Sequence, residues 1–249
     1  MRYKPYISAA AVMIVCALIT SFVIIRHSVK TANSYDASKR TTVVLDAGHG
    51  GEDGGARGPG GIMEKGINLN ISKAVSDLLG FYGVNTAMTR TEDISLHSEE
   101  YKRAGQRKTS DIKNRVKRIN EMENAVLISI HLNSFPNKSS RGAQVFYSKN
   151  NPLGEVLAKT VQSTLKEGIS DGNKRLAKQS DDGIYILKHV DCPAVLVECG
   201  FLSNTDEAKK LMSEAYQRKI AVCITAGYMR FSVGHENGES PIISANSSY

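Results

Sequence analysis

Three apolar runs constrain the fold of this chain more than any other feature. VVLDAGH (Val43–His49), AVLISIH (Ala125–His131) and PAVLVE (Pro193–Glu198) are continuous rather than alternating, short, and rich in β-branched residues. Such runs are strands buried on both faces, the kind found in sheets with helices on either side. Helical spacing fills the intervals. Ile67, Ile71, Ala74, Val75, Leu78 and Leu79 recur on one face and stop near Gly80 and Gly83, and Ile112, Val116 and Ile119 form a second stripe. Further helices are expected over Leu153–Leu165, Thr205–Met212 and Glu214–Phe231, with strands over Val84–Met88 and Ala143–Tyr147. The alternation predicts a single α/β domain, with its sheet flanked by helices, over residues 41–233.

The ends have a different character. Ile7–Ile25 carries no charge and follows Arg2 and Lys4, so residues 1–26 read as a membrane anchor or signal segment long enough to span a bilayer. Either reading makes the remainder an exported protein. Residues 27–40 are polar and read as a linker, and residues 234–249 as a flexible tail. The formal charge of +7 over 249 residues suits an acidic polymer, a membrane surface or an anionic wall. There is no zinc-finger spacing, no tryptophan and no aromatic RNA-binding pattern, so nucleic acid is not expected as a partner. Cys192, Cys199 and Cys223 form no C-x-x-C pair and read as buried thiols.

The first run enters the loop GHGGEDGGARGPGG. A dinucleotide-binding G-x-G-x-x-G would need glycine at Asp53, and no Gly-Lys-Ser/Thr follows, so this is not a phosphate cradle. The runs leave the sheet at His49, His131 and Glu198, and sites in open α/β sheets collect at the carboxyl ends of strands. Glu64 follows the loop, just ahead of the first helical stripe. Two histidines and a glutamate make the ligand set of hydrolytic zinc sites, which keep a fourth position open. There is no local H-E-x-x-H, so spacing alone makes this a weak signal.

LDAGHGGEDGGA, MEKGINLNI, LISIHLNS and PAVLVECGFLSN stand in the order found in zinc-dependent N-acetylmuramoyl-L-alanine amidases, with NRVKRIN (Asn114–Asn120) and GIYILKH (Gly183–His189) between them. The chain resembles that family over its whole soluble part. The resemblance implies a twisted mixed sheet flanked by helices and one Zn2+ held by His49, Glu64 and His131. Glu198 is then the catalytic acid–base that moves the proton from water to the leaving amine. It also implies cleavage of the amide between the muramic lactyl group and L-alanine of peptidoglycan. Arg115 and Asn133 are expected as weaker candidates for substrate binding.

The extra basic stretch HSEEYKRAGQRKTSDIK (His97–Lys113), read as a solvated loop, and the absence of wall-binding repeats resemble the spore-cortex amidases of endospore formers. That likeness implies action between the membranes around the forespore, a link to a peptidoglycan deacetylase that makes muramic-δ-lactam, and an accessory exported protein. The alternatives are a vegetative autolysin with the same chemistry, a peptidase within the stem peptide, or a non-catalytic wall-binding module. The last would be marked by a missing ligand, and none is missing.

Overall fold

A computed structural model describes residues 19–21, 41–169 and 172–236. The apolar N-terminal run (apart from 19–21), the linker and residues 237–249 lie outside the described residues. Within the described residues no helix is long and apolar enough to cross a membrane.

Strands β1 (Thr42–Ala47), β2 (Asn85–Met88), β3 (Ala125–Asn133), β4 (Gln144–Tyr147), β5 (Lys178–Gln179) and β6 (Ala194–Phe201) form one six-stranded sheet in the order β2-β1-β3-β6-β4-β5. Neighbouring pairs among β2, β1, β3 and β6 are parallel, β4 runs antiparallel to β6, and β5 follows β4. The helices are α1 (Glu64–Phe81), α2 (Ala104–Asn120), α3 (Leu153–Ile169), α4 (Tyr185–His189), α5 (Thr205–Leu211) and α6 (Glu214–Glu236). This is a single α/β domain with a mixed sheet.

The continuous apolar strands feed two cores because alternate side chains leave on opposite faces. Val43, Leu45, Val126, Ile128, Val195 and Val197 pack with Ile71 and Val75 of α1, Leu157 and Val161 of α3, and Ile220 and Ile224 of α6. Val44, Leu127, Ala194 and Leu196 face the other way, against Val116 and Ile119 of α2 and Ile186 and Leu187 of α4. Each fully buried Leu, Ile or Val contributes about 1.5–3 kcal/mol relative to exposure, and strands and helices both supply such residues.

Several elements differ from expectation. β3 runs on to Asn133 and β6 to Phe201, so His131 and Glu198 lie inside strands rather than beyond them. The basic stretch is not all loop: α2 begins at Ala104 and takes in its second half. Asp111 on that helix accepts bonds from the Leu96 amide and the Ser95 hydroxyl, and Asn114 donates to the Leu96 carbonyl. The preceding loop is thereby fastened to the helix side. Helix α6 ends at Glu236, three residues into the segment read as tail. Cys199 and Cys223 are buried and Cys192 partly so, all as free thiols.

Candidate metal and catalytic site

On the α2 side of the sheet, the apolar side chains give way to polar ones toward the carboxyl ends of the strands. Leu127 is followed on that face by Ser129 and His131, and Leu196 by Glu198. The β3–β6 register pairs His131 with Glu198, so the ladder places an imidazole and a carboxylate side by side.

Glu64 is the first residue of α1, where the helix dipole favours an acid. It is 2% exposed and fully engaged. Its Oε2 accepts from the Ala56 amide at 2.7 Å, and its Oε1 accepts from the Leu132 amide at 2.9 Å and from Asn68 Nδ2 at 3.1 Å. Two imidazole nitrogens face the same Oε1: His131 Nδ1 at 3.0 Å and His49 Nε2 at 3.3 Å. Ligand atoms of His49, Glu64 and His131 all lie within 4.8 Å of one another.

His49 is held less conventionally. Its φ of 63° is left-handed, a conformation uncommon for residues other than glycine. Its Nδ1 lies 2.8 Å from Asp53 Oδ2, and since a carboxylate only accepts, Nδ1 donates there, leaving Nε2, turned toward Glu64, as the nitrogen that would give up its proton to bind an ion. This carboxylate–histidine arrangement fixes the tautomer a metal ligand needs. Two glycines make room. A Cβ on Gly48 would stand 2.2 Å from His131 Cε1, and one on Gly55, whose φ is +69°, would stand 2.5 Å from Glu64 Oε2.

The electrostatics follow from this packing. Burial works against the charged form of His49, but Asp53 and Glu64 outweigh it and raise its pKa to about 9. Burial pushes Glu64 upward, yet the hydrogen bonds and charges of His131 and His49 hold it well below the usual carboxylate range. Glu198 has no such partner. Burial, with some repulsion from Glu64, raises its pKa to about 7 against the pull of His131 and His49. Its Oε2 is buried without a hydrogen-bond partner among the described residues.

Arg115 departs from expectation. It is 1% exposed and points under the site, so it is not placed to meet a substrate. Its Nη1 donates to Asp46 Oδ1 at 2.7 Å and its Nε to Asp111 Oδ2 at 2.6 Å. Thr89 and Ser129 donate to the same Asp46 carboxylate. Burial opposes ionisation of Asp46, but Arg115 above all brings its pKa down to about 2. A buried guanidinium needs this number of acceptors, and helical periodicity gave no sign of them. Asn133 closes β3 beyond a bulge, partly exposed, and its carbonyl accepts from the Leu202 amide at 2.8 Å. Asp53, Asn68, Asp46 and Arg90 were not singled out by sequence. Asp46 carried a signal, since an aspartate inside a buried apolar strand requires a partner.

Comparison with known proteins agrees with this geometry. The family model described as N-acetylmuramoyl-L-alanine amidase matches residues 43–229. The germination-specific N-acetylmuramoyl-L-alanine amidase of Bacillus subtilis is 40% identical over 199 residues, covering 80% of this chain and 82% of the relative. The CwlD amidase of Clostridioides difficile, solved in complex with the GerS lipoprotein, superposes with a TM-score of 0.75 at 40% identity, covering 78% of this chain and 99% of that one. The amidase AmiC2 of Nostoc punctiforme gives 0.67 at 29% identity, covering 78% and 97%. The family match over most of the chain and the 40% identity lead to one conclusion: the chain belongs to the family of N-acetylmuramoyl-L-alanine amidases, enzymes that act on peptidoglycan.

Proposed function

We propose that this amidase is a zinc enzyme in which His49, Glu64 and His131 hold one ion and Glu198 handles the proton. The observation that carries this reading is the meeting of two imidazoles and one carboxylate within 4.8 Å, with Glu198 beside His131 in the strand register and its Oε2 buried without a hydrogen-bond partner among the described residues. The donor set fits zinc, which takes nitrogen and oxygen ligands and keeps a position open in catalytic sites. When bound, the ion supplies Lewis acidity toward the scissile carbonyl and an incoming water.

The chain's own residues do the rest. Without an ion, burial raises the pKa of Glu198 to about 7, and a carboxylate whose pKa is pushed toward neutrality suits a group that must both take and return a proton. It removes a proton from the attacking water as the new C–O bond forms at the lactyl carbonyl. It then returns that proton to the L-alanine nitrogen as the C–N bond breaks. The products are a free stem peptide and a lactyl carboxylate on the glycan. Asp53 keeps the His49 ring turned toward the ion, and Asn68 and the Leu132 and Ala56 amides keep the Glu64 carboxylate aligned. Asn133, partly exposed and two residues beyond His131 on β3, is the remaining candidate for substrate contact.

The biological setting extends the same reading. The similarity to a germination-specific amidase and to CwlD supports a role in spore cortex, where stripped muramic acid would feed a deacetylase that leads to muramic-δ-lactam. The similarity to a structure containing a lipoprotein supports an exported accessory partner. The apolar N-terminal run supports an anchor or export signal ahead of a linker, and so action outside the cytoplasm around the forespore.

The test is digestion of purified peptidoglycan followed by mass analysis. Whole stem peptides should be released by the zinc-loaded protein, and neither by Glu198→Gln nor after chelation. Fragments cut within the stem would favour a peptidase instead. Cortex that keeps its lactam after deletion of the gene would remove the spore role and leave the amidase standing.

A further inference from the structure

Two buried arginines make four hydrogen bonds to the backbone carbonyls of the segment that ends at His49. β1 ends at Ala47, and the next carbonyls along the chain have no strand to meet. Arg115 donates from Nη1 to the Ala47 carbonyl at 2.8 Å and from Nη2 to the His49 carbonyl at 2.7 Å. Arg90 donates from Nε to the Ala47 carbonyl at 2.8 Å and from Nη2 to the Gly48 carbonyl at 3.0 Å. Three consecutive carbonyls, ending at the ligand itself, are thus gripped by two planar forks.

Arg90 reaches further. The same Nη2 donates to the Lys65 carbonyl at 2.8 Å, one residue past Glu64 in the first turn of α1. The loop carrying His49 and the helix carrying Glu64 therefore share one guanidinium. Both arginines are at most 2% exposed. Their charges are answered nearby by Asp46 and Asp111 for Arg115, while Arg90 spends its donors on backbone carbonyls. A residue with φ of 63° persists where its surroundings over-determine it, and these two side chains hold the backbone on its amino-terminal side and at its own carbonyl.

We propose that Arg90 and Arg115 are positioning residues for the metal centre: they hold His49 in its left-handed conformation and at a set distance from Glu64, and so determine how tightly the ion is bound. The inference rests on the zinc reading above. It goes beyond a fold-stabilising role because it assigns the pair to the ligand geometry. Lysine separates the two, since it keeps the charge but lacks the fork that bonds two carbonyls at once.

The experiment compares wild type, Arg115→Lys and Arg90→Lys in the full chain. Zinc affinity is measured by competition with a chromophoric chelator, the cobalt-substituted site by its visible absorption, and folding by circular dichroism and thermal melting. Each variant should fold, bind zinc at least tenfold more weakly, as loss of outer-shell partners typically does, and show shifted cobalt bands. Folded variants with wild-type zinc affinity and an unchanged cobalt spectrum would overturn the proposal. So would loss of folding in both variants, because the pair would then be holding the domain rather than the ligand. A wild-type protein that takes up no zinc would instead sink the hydrolase reading itself, a result distinguishable from both.

Discussion

His131 and Glu198 reach the site in one way, His49 and Glu64 in another. The first two sit on adjacent strands, opposite each other in register, and the ladder that builds the core also aligns them. His49 rides a loop and Glu64 the first residue of a helix, and their alignment depends on added devices: Asp53, Asn68, two glycines with no room for a side chain, and the arginine pair. The comparison teaches where precision costs extra. Strand-borne groups are as rigid as the sheet, whereas off-strand groups are only as rigid as their hydrogen bonds.

Substitutions sharpen that contrast. The largest effect is expected at Glu198: Glu198→Gln should lower the rate of peptidoglycan cleavage about a thousandfold, in the range of a lost general base. Zinc content and thermal midpoint should stay close to wild type, because the strand, not the carboxylate, fixes the position. An equal loss of zinc would break the contrast.

Next comes the off-strand pair. Asp53→Asn leaves the His49 ring without its anionic acceptor and should weaken zinc binding about 10–100-fold, read by chelator competition, with the melting temperature little changed. Unaltered affinity would mean that the loop holds His49 without help.

Acid should then separate the buried network from the rest. Asp46 has its pKa lowered from 3.8 to about 2, so its contribution is complete above pH 3.8 and disappears as pH falls through about 2. That amounts to about 2 kcal/mol of folding stability. In urea titrations from pH 6 downward, the gap between wild type and Asp46→Asn should narrow across that window. A gap of constant size would show that the carboxylate is not the titrating partner.

The smallest effect belongs to the loop's outer rim, where Arg107 pairs with Glu52, 67% exposed in its side chain. Glu52→Ala should change stability by less than about 1 kcal/mol, as exposed pairs do, and leave zinc affinity untouched.

The strands and their polar ends were legible because an apolar run that stops at a histidine or glutamate is a local pattern. The two cores were legible for the same reason. What could not be read was anything set by partners distant along the chain. Arg115 meets Asp46 across 69 residues, and the residues next to it, Val116 and Ile119, gave the helix its stripe but no hint that the arginine was buried too. The start of α2 was hidden because Ala104–Asp111 contains no apolar period; that turn is fastened by Asp111 and Ser110 to the preceding loop instead. β5 and α4, with 2 and 5 residues, are shorter than any period can register. The co-facial placement of His131 and Glu198 needed the knowledge that β3 and β6 are neighbours, which no single segment contains.

Strand β4 points against β6, and this reversal governs what can change around the active edge. The chain leaves β3 at Asn133 and enters β4 at Gln144 without traversing the sheet, so residues 134–143 stay at the end of the sheet that carries His131 and Glu198. The β1–β2, β2–β3 and β4–β5 connections join parallel strands and return along the sheet through the packed helices α1, α2 and α3. A longer or bulkier 134–143 segment would therefore remodel the approach to Glu198 while leaving every layer of the protein in register.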